Sequence, residues 1–354
     1  MLNRLRGPLA IGSSVLLLGG LATACSSDKK PGSSTSSAAA AGPMTLDSVC
    51  KAGQSEGSVN FWADVESDTF KQEIATFESA YPGIKVNYTQ MQPQDQVQRI
   101  LAEKQAGHSL DVDAASPDSA SSLPLFAAKA IEEVDLSQLG VNANLATTVE
   151  GMKVFTTQRT YGGLAYNTTL VKPEDLPSTW EELANSKYAG KVSVDPRGKW
   201  LAPISIVWGK DKTISWYKNL MSQAKPQVVS GITSSLTKVI SGEVPMTASG
   251  RDAEVAQMKA KNAPVEIKYL DVVQETDQLG LLLKGAAHPN AAKCFLAWKA
   301  GDGGQAAQLK YEFKGNTAQP QGLPADAKLA INESPADLAL ISDVGKQLSK
   351  LSKG

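Results

Sequence analysis

The chain has 354 residues, a formal net charge of −1, 42% hydrophobic and 20% charged side chains. Without a basic excess or a basic patch interleaved with aromatics it has no signature of a nucleic-acid binder. Without a second long apolar stretch after its N-terminus, its body does not cross a membrane as helices. The length suits two medium domains, each with its own core.

The N-terminus opens with "MLNRLRG", carrying Arg4 and Arg6, followed by the apolar run "PLAIGSSVLLLGGLA" and then "ATAC". A basic start and an apolar run too short to span a bilayer comfortably predict a signal peptide over residues 1–24. Ala22, Thr23 and Ala24 before Cys25 resemble a bacterial lipoprotein processing site, with Ala22 standing where Leu is commoner. That resemblance implies a lipidated, palmitate-bearing Cys25 as the first mature residue; an ordinary secretory signal is the alternative. Residues 25–43 contain almost no large apolar side chain and cannot offset their ordering entropy, so they read as a flexible tether. With Cys25 lipidated, Cys50 and Cys294 remain in an oxidising location. They form either one disulfide between an early and a late helix or two buried free thiols.

Along the body, "SVNFWA" reads as a buried strand, and "SDTFKQEIATFESA" sets Phe70, Ile74 and Phe77 on one helical face. "IKVNY" alternates as a strand, "QDQVQRILAEKQAG" places Val97, Ile100 and Leu101 on a helix, and "LDVDAAS" is a third short strand with Asp111 and Asp113 on one face. Strand–helix–strand with short connections means a parallel sheet with right-handed crossovers. Next come the strand "YGGLAYN", a helix in "LPSTWEELANSKYAGKV" opened by a Thr179–Glu182 capping box, and the strand "KVSVDP". "TISWYKNLMSQA" and "SSLTKVISG" are amphipathic helices, and "VPMTAS" is a strand. The helix of "SGRDAEVAQMKAKNA" is expected to be capped by Ser249, with Asp252 completing a box. "VEIKYLD" and "LGLLLKG" are strands, and a helix runs through Cys294.

Catalytic patterns are missing. His108 and His288 sit in turn contexts, no GxSxG, HExxH or P-loop occurs, and "GDGGQ" lacks the spacing of a phosphate loop. No reaction and no cofactor follows from these residues; the expectation is a protein that is not an enzyme.

"SVNFWADVESDTFKQEIATFESAYPGIKVNY", "YGGLAYNTTLV", "LPSTWEELANSKYAGKVSVDP" and "ISGEVPM" resemble, over roughly residues 56–320, bacterial extracellular solute-binding proteins of the branch that includes ferric-iron binders. The resemblance implies an α/β, two-domain periplasmic-binding-protein-like (type II) fold. Each domain would be a mixed, mostly parallel sheet flanked by helices, with a ligand cleft between them. Residues 44–160 would form the first domain, 161–270 the second, and 271–354 would return to the first, with the domain of the C-terminal helix left open. It also implies a monomer that meets a small-molecule solute and ABC permease subunits, and touches the membrane through its lipid alone. Ligands of open α/β sheets sit beyond the carboxyl ends of strands. In this chain those loops are "WADVES", "SPDSA", "DPRGKW", "SGITSS" and "SGRD".

The candidate ligand-binding residues are accordingly Trp62, Asp64, Glu66, Ser67, Ser116, Arg159, Arg197, Trp200, Thr233, Ser249 and Arg251. The paired tyrosines of the iron binders would fall near Asp252 and Ala253, where this chain has none, so no metal site is assigned. Arg251 at a helix start, with Arg159, Arg197 and Lys199 nearby, favours an anion, because arginine forms a bidentate fork with carboxylate or phosphate. Other readings stay open. Asp64, Glu66 and Asp252 could hold a polyamine or a hard cation such as ferric iron, and the fold could serve surface adhesion without transport.

Overall fold

A computed structural model describes residues 44–315, 322–332 and 334–353. The expected signal peptide, Cys25 and the tether lie outside the described residues.

Helix Leu46–Glu56 (α1) begins at Thr45, whose hydroxyl accepts from Ser48 N, and stops at Gly57 in the left-handed conformation. Strand Ser58–Ala63 (β1), helix Ser67–Ala80 (α2), strand Lys85–Gln90 (β2) and helix Pro93–Gln105 (α3) follow in the expected order. β1 pairs in parallel with β2 and with Ala114–Ala115 (β3), which leads to helix Ser119–Ala127 (α4). The third strand is shorter than its sequence pattern suggests, because Asp111 and Asp113 do not share a face. Asp111 is drawn outward to Arg99 at 2.7 Å, whereas buried Asp113 accepts from Asn60 N and from His288 N.

Two long strands organise the rest. Met152–Asn167 (β4) and Val272–Leu283 (β7) pair antiparallel, setting Thr160 opposite Thr276 and Gln158 opposite Gln278. Between them in the chain lie strand Val192–Val194 (β5), helix Ile232–Ile240 (α5), strand Met246–Arg251 (β6) and helix Asp252–Ala260 (α6). After β7 come helices Pro289–Ala300 (α7), Asp302–Glu312 (α8) and Pro335–Ser352 (α9). The sheet runs β2-β1-β3-β7-β4-β6-β5, so β4 and β7 pass through both halves. The capping hydroxyl of Thr179 accepts from Glu182 N as expected. The helix it starts is short, Trp180–Leu183, and gives way to a 3-10 turn.

One core gathers Phe61, Phe70, Phe77 and Phe295 in mutual ring contact, with Trp298 on Phe77 and Phe295. Such ring pairs add to their burial. There Cys50 and Cys294 are bonded, joining α1 to α7 across 244 residues of sequence; of the two alternatives for these cysteines, the disulfide is the one observed. A second core is built on Trp180, Trp216, Tyr217 and Leu164. Val344 and Leu348 of α9 pack into this second core, and Tyr217 Oη meets Ser352 Oγ at 2.6 Å. The stretch after residue 271 is therefore divided: α7 builds on the first core and α9 on the second.

Candidate binding cavity

A cavity of about 390 Å³ opens where the carboxyl ends of β1, β5 and β6 face the middle of β4 and β7. Each strand end delivers particular side chains.

Asp64 follows β1 directly. Burial pushes its carboxyl up, while the charge of Lys314 and a 2.5 Å bond from Gln278 Nε2 pull the other way. Asp118 caps α4 and spends both oxygens on Ser121 N and Oγ, each at 2.8 Å.

Beyond β5, the segment "DPRGKW" turns at Gly198. Its φ is +69°, and a Cβ there would stand 2.5 Å from Gly345 O of α9. Only glycine lets the turn lie against that helix, and the turn aims Lys199 and Trp200 at the cavity. Arg197 is held by buried Asp195 through Nε at 2.9 Å and Nη2 at 2.5 Å.

At the end of β6, Gly250 admits the close approach of β4; a Cβ would lie 2.7 Å from that of Ala165. Arg251 then reaches back across the long strands. Its Nη1 donates to Thr160 Oγ1 at 2.5 Å and its Nη2 to Thr276 Oγ1 at 2.8 Å.

Three cations surround one indole. Lys199 Nζ lies 4.2 Å, the Arg251 guanidinium 4.5 Å and that of Arg197 5.9 Å from the Trp200 ring centroid. Partial desolvation, followed by the charges of Arg197 and Arg251, holds Lys199 below the usual lysine range although the residue is exposed, and desolvation lowers the half-buried Arg251 from its own usual value. Among the described residues, neither Lys199 nor Arg251 has a carboxylate within 4.0 Å. In the same wall, among the described residues, Trp200 Nε1 and Gln274 Nε2 are buried donors without an acceptor, and Glu254 Oε2, beside Arg251, is a buried acceptor without a donor.

Of the residues nominated from sequence, Asp64, Trp200 and Arg251 line this cavity. The others do not. Trp62 is buried in an apolar cluster with Val97 and Ile100, with Arg99 over its ring. Glu66 caps α2, accepting from Asp68 N and Thr69 N, and Ser67 bonds Gln90. Ser116 is buried against Thr157 at 3.4 Å. Arg159 pairs with Glu275 at 3.0 Å on the opposite face of β4. Thr233 is exposed on α5. Ser249 does not cap α6. It lies inside β6, its hydroxyl accepts from Asp195 N, and Arg251 occupies the cap position without a side-chain capping bond.

The residues that sequence reasoning passed over are Gln158 and Thr160 on β4 and Gln274, Thr276 and Gln278 on β7. Their signal was present: the continuous polar runs "TTQRT" and "QETDQ" interrupt strands that are apolar at their ends, which marks a stretch wet on both faces.

A second, larger cavity of about 630 Å³ lies on the other face of β4, lined by Tyr161, Asp252, Tyr269 and Leu309 among others. Burial pushes Asp252 up to about 6, although its carboxylate accepts from Tyr161 N and Ala253 N. No strand end from β1 or β5 opens into it, so the smaller cavity is the better candidate despite its size. Asp64, Glu66 and Asp252, the three carboxylates open to a hard cation, do not converge. One faces the smaller cavity, one caps a helix and one lines the larger cavity.

This arrangement of strand ends around a cleft has counterparts. The profile of the bacterial extracellular solute-binding proteins matches residues 72–334. The chain belongs to that family. Its membership places the protein outside the cytoplasm, and among the described residues no helix is long and apolar enough to cross a membrane. Iron-bound HitA from Pseudomonas aeruginosa shares the fold with a TM-score of 0.68 at 18% identity, over 83% of this chain and 99% of that one. AfuA from Actinobacillus pleuropneumoniae, with exogenous fructose-6-phosphate bound, gives 0.63 at 20% identity over 83% and 97%. An ABC-transporter substrate-binding protein from Agrobacterium tumefaciens gives 0.64 at 17% over 84% and 97%. The two-domain α/β solute-binding fold is thus common to all of them. No curated protein is significantly similar in sequence.

Proposed function

We propose that this solute-binding protein serves an ABC-type importer and captures a small anionic organic solute. The observation that carries the reading is the group of cations around Trp200. Lys199 and Arg251 have no carboxylate at contact distance among the described residues, and partial desolvation and repulsion from the neighbouring arginines weaken the hold of Lys199 on its proton. A bound anion relieves that repulsion, and it gives the orphaned donors of Trp200 and Gln274 an acceptor. AfuA, with its bound sugar phosphate, is a precedent for an anionic ligand on this fold. The ferric alternative is weaker, since Asp252 and Ala253 stand near where the iron binders carry their paired tyrosines.

The protein acts as a lipid-anchored monomer, with Cys25 lipidated, residues 25–43 as the tether and the permease as its partner. Residues 44–160 and 161–270 form the two domains. Binding closes them about the paired strands near residues 159–167 and 267–280, as a two-state clamp follows the state its ligand prefers. The test is a thermal-shift screen of organic phosphates, sulfonates and carboxylates beside polyamines and ferric citrate. Stabilisation by a member of the anion set supports the reading; stabilisation by polyamines alone overturns it.

A further inference from the structure

The wall that faces the cations has its own polarity, and a buried network fixes it. Lys299 Nζ donates to Glu73 Oε1 at 2.6 Å, and Gln158 Nε2 donates to Glu312 Oε2 at 2.8 Å, all four residues being almost fully buried. Glu73 and Glu312 bring their remaining oxygens together. Among the described residues, neither Glu73 Oε2 nor Glu312 Oε1 has a donor unless the two carboxyls share a proton. Burial drives Glu73 well up, so Glu73 is the protonated partner. Burial also acts on Glu312, but the hydrogen bond from Glu73 and the charge of Lys299 outweigh it and keep Glu312 anionic.

An ionised carboxylate only accepts. Glu312 therefore pins the amide nitrogen of Gln158 inward, and Gln308 Oε1, at 3.4 Å, agrees with that orientation because Gln308 Nε2 is spent on Lys299 O. Gln158 lines the cavity, and among the described residues its carbonyl oxygen meets no donor. Gln278 is fixed in the same way: its Nε2 is committed to Asp64, which leaves its carbonyl oxygen unspent. The first-core wall thus offers acceptors from Asp64, Gln158 and Gln278, with Lys314 beside Asp64 as its one cation among the described lining residues, and the opposite wall offers donors from Lys199, Trp200 and Arg251.

We infer that the cavity is bipolar, taking an anion whose far end carries hydrogen-bond donors, hydroxyl or ammonium, and that Glu312 sets this specificity by orienting Gln158. The inference rests on the anion reading above and sharpens it.

Three probes of equal chain length decide it by calorimetry on the intact protein: hexyl phosphate without donors, sorbitol 6-phosphate with hydroxyls, and 6-aminohexyl phosphate with an ammonium. At least one donor-bearing probe should bind about tenfold or more tightly than hexyl phosphate, since a site built for hydrogen bonds rejects the analogue that lacks them. Which one gains identifies the donor. Glu312→Gln and Gln158→Leu should each narrow that ratio, whereas a purely structural defect would weaken all three probes alike. Should Glu312→Gln fail to fold, Gln158→Leu and Asp64→Asn carry the same test. Hexyl phosphate binding as tightly as both others, or an unaltered ratio in the folded variants, overturns the bipolar inference alone. Failure of all three probes and of inorganic phosphate overturns the anion reading beneath it.

Discussion

Two charge clusters, one fully buried behind the sheet and one open to solvent at the cavity, are treated in opposite ways. Behind the sheet, Lys299 sits between Glu73 and Glu312, every charge has a partner and one shared proton balances the set. At the cavity, Lys199 and Arg251 crowd Trp200 with hydroxyls and an aromatic face but no carboxylate in contact among the described residues. Desolvating a charge is costly unless it is paired. A satisfied cluster therefore belongs to the fold, and the unsatisfied one is where the proposed anion would bind.

The contrast can be broken most severely from the satisfied side. Lys299→Met leaves the buried anion of Glu312 without its cation and should cost about 3–5 kcal/mol of stability. Urea unfolding with no loss would show that the network is not held by charge. A second change concerns Asp252, on the far face of β4. The native carboxyl keeps its proton to about 6, while an unfolded one releases it near 3.8. Between those values the native state binds more protons, so stability falls as pH rises through the window, by on the order of 3 kcal/mol. Asp252→Asn should flatten that slope and stabilise the protein above pH 7, as melting temperatures from pH 4 to 8 would reveal. Arg251→Lys keeps the charge but loses the fork to Thr160 and Thr276, and a loss of about 1–2 kcal/mol in affinity is expected by calorimetry. The smallest effect sharpens the comparison. Glu73 is already neutral, so Glu73→Gln offers Lys299 a carbonyl and Glu312 an N–H. Stability at pH 7 should then stay within about 1 kcal/mol, and a larger loss would mean that Glu73 is ionised.

Sequence periodicity revealed the strands and helices of both halves because Phe61, Phe70 and Phe77 recur at the spacings a strand and a helix impose. The cavity was less legible. Asp64, Trp200 and Arg251 stood at strand ends, where loop position betrayed them. Ser249 and Trp62 occupy equally suggestive positions, yet a hydroxyl needed by Asp195 N and an indole needed by an apolar cluster face inward. Direction at a strand end is decided by which partner lies on each face, and that partner is far away in sequence. Gln158 and Gln278 show the same limit: the sequence marks both faces of their stretch as polar, but the fold supplies Glu312 and Asp64, which orient their amides.

If the cations around Trp200 are held for an anion, Arg251→Ala shows it soonest, with affinity for the best anion of the screen measured by calorimetry beside the melting temperature of the ligand-free variant. The account predicts an affinity loss of about 2–5 kcal/mol, as when one partner of a buried charged pair is removed, with the melting temperature held. Unchanged affinity, or a melting temperature that falls while affinity stays, would contradict it and make Arg251 part of the fold.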